Sequence, residues 1–150
     1  MQWITKFSME NKILTAKEYK AQIEKHGEIA FVPRGNSMWP FIKNKAQTVI
    51  IQKKTVRLNK FDVGFYSYGE NAVLHRVVEV LDDGYVFCGD SQFVLQTVKE
   101  DDVFGKMTYF YQGDKCVNAD DKKVLKKVAR WYKRPLWRKI RIKLFYLLKR

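Results

Sequence analysis

Six short segments between residues 28 and 111 constrain this chain more than any other feature: Ile29 to Val32, Thr48 to Ile51, Val63 to Tyr68, Ala72 to Val80, Tyr85 to Cys88 and Phe104 to Tyr111. Each is rich in β-branched and aromatic residues, which suit a pleated, half-buried surface. Turn-forming runs separate them, notably Asp82-Asp83-Gly84 and Gln112-Gly113-Asp114. Strands this short and this closely spaced predict a compact, mainly β domain with no internal repeat and no low-complexity linker.

Helical patterns flank the strands. Thr15-Ala16-Lys17-Glu18 reads as a capping box, with Thr15 as N-cap and Glu18 reaching back. The helix it opens should run to about Lys25 and close near Gly27, turning Tyr19 and Ile23 inward. Helical spacing returns at Ala119, where Asp120 or Asp121 can serve as cap and Val124, Leu125, Val128, Trp131 and Tyr132 share a face. Pro135 is either a kink or the first residue of a second helix. Beyond it Leu136, Trp137, Ile140, Leu144, Leu147 and Leu148 fall within an arc of roughly 120°, with most Lys and Arg outside it. The expected organisation is a β domain with its N-terminal helix over residues 1–118 and a basic amphipathic helical tail over 119–150.

Charge is segregated in the same way. The chain carries 29 Lys and Arg against 16 Asp and Glu, a net charge of +13. Thirteen of the basic residues and none of the acidic ones lie from Lys122 to Arg150, so residues 1–121 hold 29 − 13 = 16 basic and 16 acidic groups. The domain is neutral and the tail is not, which weakens a nucleic-acid reading of the whole chain.

Metal and cofactor chemistry finds little support. Cys88 and Cys116 are far apart and form no CxxC, and His26 and His75 are the only histidines. Both cysteines are expected in strands as small buried apolar residues, with a single disulfide left open. His26 reads as an exposed residue at the helix end, facing the negative end of the dipole. Trp3, Ile4 and Phe7 stand in no continuous apolar run, so neither a signal peptide nor a membrane anchor is expected there.

The chemistry-bearing residues are Gly35-Asn36-Ser37-Met38-Trp39-Pro40, then Leu74-His75-Arg76-Val77-Val78, then Gly89-Asp90. Serine becomes a nucleophile when a neighbouring base takes its proton, and histidine is the usual base near neutral pH. An acidic residue commonly fixes the tautomer of that histidine. The order Ser37, His75, Asp90 therefore offers a serine-hydrolase constellation. The plainer alternatives are a turn hydroxyl, a satisfied strand histidine and a turn-capping aspartate.

With these boxes the chain resembles the clan joining type I signal peptidases and LexA-like self-cleaving repressors. Gly35, Ser37, Met38 and Pro40 match its Gly-x-Ser-Met-x-Pro box. His75-Arg76-Val77 matches the histidine type found in endoplasmic-reticulum and SipW signal peptidases, where other members carry lysine. Gly89 and Asp90 match the box whose aspartate supports the base, and Gly105-Lys106 resembles the closing strand. The resemblance spans roughly residues 28 to 110. It departs at Lys43-Asn44-Lys45-Ala46, where the family places Gly-Asp, and at Ser91-Gln92, where an asparagine is common. Neither the N-terminal anchor of signal peptidases nor the helix-turn-helix domain of the repressors is recognisable here.

The resemblance implies a serine endopeptidase in which Ser37 attacks a peptide carbonyl, His75 accepts and returns the proton, and Asp90 orients the imidazole. Backbone N–H groups around Ser37 would hold the oxyanion, with Asn36 as a further donor. Met38 is expected to pack beneath the serine, and Asp62 to be structural. No metal or cofactor is expected. The substrate would be a peptide or precursor segment, bound as an added strand.

A helix of about 15 residues after Pro135 is roughly 22 Å long, short of the ~30 Å hydrocarbon core. It is expected to lie on an anionic membrane surface through Trp131, Trp137, Ile140, Leu144, Leu147 and Leu148, at the cytoplasmic face, the alternative being a helix packed on its own domain or on a partner protein. Two other readings stay open. One is a catalytically idle clan member that binds extended peptides. The other is a basic protein whose tail binds acidic surfaces or nucleic acid, although an apolar stripe has no use in a phosphate groove.

Overall fold

The structure, a computed structural model, describes residues 13–43 and 47–149. The expectations placed on Trp3, Ile4 and Phe7 and on Asn44-Lys45-Ala46 lie outside the described residues. Helix α1 (Ala16–His26) begins with the anticipated capping box. The Glu18 amide donates to Thr15 Oγ1 at 3.3 Å, and the Thr15 amide donates to Glu18 Oε2 at 2.7 Å. It ends at Gly27 with φ 78°, and its inner side buries Ala16 and Ile23.

Eight strands then form one antiparallel sheet: β1 (Glu28–Phe31), β2 (Val49–Lys53), β3 (Val63–Tyr68), β4 (Asn71–Leu81), β5 (Gly84–Cys88), β6 (Leu95–Lys99), β7 (Val103–Gln112) and β8 (Lys115–Asn118). The spatial order is β1-β2-β7-β3-β4-β5-β6, with β8 pairing the far end of β7. The mainly β expectation holds. Two strands went unread in the sequence. β6 alternates exposed and half-buried residues and buries only Val98, and β8 buries none of its four.

Period-two alternation gives the sheet two apolar faces. Phe65, Leu74, Val63, Met107 and Phe110 join Ile23 of α1 on one side. Tyr66, Val77, Tyr85, Phe87 and Val98 cluster on the other, where the Tyr66 and Phe87 rings stack at 4.3 Å. Neighbouring residues of β4 therefore look in opposite directions, and this decides the environments of His75 and Arg76.

The tail forms α2 (Lys122–Lys133) and α3 (Pro135–Leu148). Asp121 is the N-cap of α2, accepting from the Lys123 amide at 2.7 Å, and Pro135 opens α3 rather than kinking one helix. Both helices pack on the domain, burying Val128 and Trp131 from α2 and Arg138 and Ile142 from α3. Among the described residues no helix is long and apolar enough to cross a membrane.

Cys88 is buried in β5, whereas Cys116 is exposed and both are free. The expectation of burial for Cys116 fails because β8 is an outer strand with no layer over it. Met38 packs in the first core as expected, and Asp62 has the structural role foreseen, accepting from the Asn59 amide and lying 3.3 Å from Lys106 Nζ.

Candidate active site

Ser37 lies in the turn that follows β1. Gly35 has φ 88°, a left-handed conformation that side chains rarely adopt, so the first position of the serine box is fixed by backbone geometry. The turn closes through the Trp39 amide on Asn36 O at 3.0 Å and the Ile42 amide on Met38 O at 2.9 Å. Met38 is buried beneath it while Ser37 stays partly exposed. Neither the Ser37 hydroxyl nor its N–H is hydrogen-bonded to another described residue.

Gly89 and Asp90 belong to the loop after β5, and this loop clasps the serine turn. The Ser91 amide donates to Ser37 O at 2.9 Å, and Ser91 Oγ donates to Asn36 O at 2.6 Å. Tyr146 of α3 in turn lies 3.1 Å from Ser91 Oγ. A Cβ at position 89 would stand 2.8 Å from the Ser37 carbonyl oxygen, closer than real side chains approach backbone. Gly89→Ala should therefore displace the serine turn. A melting temperature lowered by a few degrees, with hydroxyl reactivity lost, would show this, and an unchanged protein would refute the close fit.

His75 is 8 % exposed in the middle of β4. Arg76 pairs with Cys88, the last residue of β5 before Gly89. His75, its neighbour, takes the opposite face of β4. Ser37 Oγ and His75 are not hydrogen-bonded to each other.

The partner of the imidazole is not the one expected. His75 Nδ1 lies 3.2 Å from the Tyr66 hydroxyl, which donates to Gln96 Oε1. With its own proton donated to Gln96, the Tyr66 oxygen can accept from a proton on His75 Nδ1, an arrangement that suits the Nδ1–H tautomer. Nε2 then keeps its lone pair, the state a general base needs. Tyr66 on β3 and Gln96 on β6 were missed in the sequence, where they read as strand residues.

Burial holds the His75 pKa below its ordinary value, and the Gln96 carbonyl and the Asp90 charge pull it part of the way back. The imidazole is thus neutral at neutral pH. Because the native state binds this proton less readily than the unfolded chain, the stability it contributes is present above the unfolded value of about 6.5. That stability is lost as the pH falls through the lower folded value. Gln96→Glu should reverse the trend, raising the His75 pKa by about one unit through a negative charge placed one hydroxyl away from Nδ1. Imidazole 15N shifts followed against pH measure both tautomer and pKa. A proton on Nε2, or no upward move in Gln96→Glu, would contradict the assignment.

Asp90 is completely buried but makes no hydrogen bond to His75. Instead its carboxylate takes Arg76 in a two-pronged pair, Nε to Oδ1 and Nη2 to Oδ2, both at 2.8 Å. Tyr132 donates to Oδ1 at 2.7 Å. The role given to Asp90 as the orienting group is therefore corrected: it meets the residue after the histidine, on the opposite face of β4. Burial works against the Arg76 charge, but the Asp90 carboxylate outweighs it and raises the Arg76 pKa. Burial likewise drives the Tyr132 hydroxyl far up, reinforced by the Asp90 charge.

The same aspartate anchors the tail. Trp131 Nε1 donates to Asp90 O at 2.9 Å, and Arg138 Nε donates to it at 3.3 Å. Arg138 also donates to the carbonyls of Gly89 and Gln92. Trp131, expected at a membrane surface, is 8 % exposed and packs edge-on against Trp39 of the serine box, so that assignment is withdrawn. The other stripe residues are exposed. Trp137 is 55 % exposed, Ile140 43 %, Leu144 50 %, Leu147 64 % and Leu148 84 %. Arg138 and Ile142 hold the inner side.

Among the described residues no group of three His, Cys, Asp or Glu side chains is gathered as a metal site. No protein-family model matches the chain, and no curated protein and no solved structure is significantly similar to it.

Proposed function

We propose that this chain is a serine endopeptidase of the signal-peptidase and LexA-like clan, histidine type, acting on a peptide or precursor segment at a membrane surface. The observation that supports the reading is the clasp of the serine turn by the Gly89-Asp90-Ser91 loop, through the Ser91 amide on Ser37 O and Ser91 Oγ on Asn36 O. Ser37 Oγ attacks the scissile carbonyl carbon while its proton passes to His75 Nε2. The imidazolium returns that proton to the leaving amine, and water resolves the acyl-enzyme through the same base. The Ser37 N–H, with the Asn36 side chain beside it, meets the oxyanion. Tyr66 and Gln96 hold the imidazole in its working tautomer, and the Arg76–Asp90 pair fixes the loop that clasps the serine turn.

A peripheral location is supported by α3, whose apolar stripe is exposed while its other side is pinned to the domain. Anionic lipid at the cytoplasmic face suits the surrounding Lys and Arg.

A fluorophosphonate, which phosphonylates activated serines with loss of fluoride irrespective of substrate sequence, tests the chemistry directly. Labelling localised to Ser37 by mass spectrometry, and abolished in His75→Ala, supports a peptidase. An unlabelled, folded protein favours a groove that binds extended peptides without cleaving them. That second reading has one observation on its side, the missing hydrogen bond between Ser37 and His75.

A further inference from the structure

A cleft of about 780 Å³ opens between the β7–β8 hairpin, the residues after the serine box and the two tail helices. Its size is that of a site for a small organic molecule. Lys115, Lys123, Lys127, Arg130, Arg134 and Arg141 line it against one acidic residue, Asp121, whose carboxylate is engaged in capping α2. None of the six cations forms an ion pair with another described residue. Six like charges converging on one concavity repel each other, and an anion relieves that repulsion. The floor is apolar, lined by Phe41, Val117 and an edge of the buried Phe110. A purely ionic ligand has no use for such a floor.

We propose that this cleft binds the head group of an anionic phospholipid, with the phosphate among the cations and the glycerol and upper acyl carbons against the apolar floor. Trp137 belongs both to the cleft wall and to the exposed stripe of α3, so the cavity opens onto the apolar surface already assigned to the membrane. A lipid uses both features at once, whereas a polynucleotide uses only the charge. Arginine also matches phosphate with a planar fork of donors, a geometry lysine lacks. The proposal rests on the membrane reading above and sharpens it from a charged surface to a defined site.

The test titrates dihexanoyl-phosphatidylglycerol, below its micelle concentration, into the full chain by calorimetry. Dihexanoyl-phosphatidylcholine and inorganic phosphate form parallel arms. Saturable binding of one phosphatidylglycerol per chain is expected, about 10-fold tighter than either control, because only this ligand combines net charge with apolar carbons. Lys127→Gln with Arg130→Gln should weaken it about 30-fold, the equivalent of two membrane-facing charges. Both residues are exposed, so the fold should not suffer. Lys139→Gln with Lys143→Gln removes the same charge from α3 outside the cleft and should change affinity by less than about two-fold.

Equal losses from the two pairs, equal affinity for inorganic phosphate, or displacement of the lipid by an equimolar acidic peptide or oligonucleotide would each overturn the site. Sedimentation with vesicles of phosphatidylcholine, with and without phosphatidylglycerol, separates the two levels. Vesicle binding that ignores the cleft pair sinks the site and leaves the interfacial helix standing. No vesicle binding at all sinks both.

Discussion

Replacing Ser37 by alanine should remove peptide cleavage almost entirely while leaving the protein folded. Loss of a serine-hydrolase nucleophile costs on the order of 10⁶-fold in turnover, and loss of its base costs about as much, because the two act as one unit. Ser37→Ala, His75→Ala and the double variant should therefore show nearly the same residual rate. Ser37 Oγ holds no hydrogen bond among the described residues, so its removal should shift stability by less than about 1 kcal/mol. Tyr66→Phe should give an intermediate loss, since it frees the imidazole to rotate and change tautomer without removing the base. The measurement is cleavage of a mixed peptide library, read by mass spectrometry, beside a thermal melt of each variant. Full cleavage by Ser37→Ala would end the nucleophile assignment. Additive losses in the double variant would end the claim that serine and histidine work together.

Asp90→Ala should have its large effect on folding. Arg76 is 3 % exposed, and two of its nitrogens donate to Asp90. Removing one partner of a buried ion pair leaves the other charge desolvated and unmatched, a loss of about 3–5 kcal/mol. For a chain of this size each kcal/mol lowers the melting temperature by roughly 2–4 °C, so a fall on the order of 10 °C is expected. Tyr132 loses its acceptor in the same step. Arg76→Met combined with Asp90→Leu should recover much of the loss, since an apolar pair leaves no stranded charge. Urea unfolding of the two singles and the double closes the cycle. If Asp90→Ala instead lost only activity and kept its melting temperature, Asp90 would be the orienting residue after all.

The anchoring of the tail to this aspartate also changes what truncation should do. Removing residues after Asp121 strips Asp90 of Trp131, Tyr132 and Arg138 and uncovers Trp39, which stacks on Phe145 at 4.3 Å. Charge and amphipathicity mark the tail as a separate unit in the sequence, yet its two helices brace the loop that clasps Ser37. A membrane bound along the outer stripe of α3 would thus lie close to the serine turn.

What the sequence by itself determined is what neighbouring residues decide among themselves. The capping box of Thr15 and Glu18, the stop at Gly27, the Asp121 cap and the Pro135 start are contacts between residues a few positions apart, and each is found in the fold. The six strands with strong β-branched and aromatic character formed for the same reason, and Gly35 stands where only a glycine is comfortable. Strands β6 and β8 carry weak local signals and exist because β5 and β7 offer them open edges. The partners of the site residues were decided by tertiary structure alone. His75 on β4 is linked to Gln96 on β6 through Tyr66 of β3, and Asp90 meets Arg76 because alternation along β4 turns adjacent side chains to opposite faces. Trp131 looked like a membrane residue because a helix pattern reports which residues are apolar, not which surface will cover them. A local pattern fixes the direction in which a side chain points, and only the packed sheet and helices fix what it finds there.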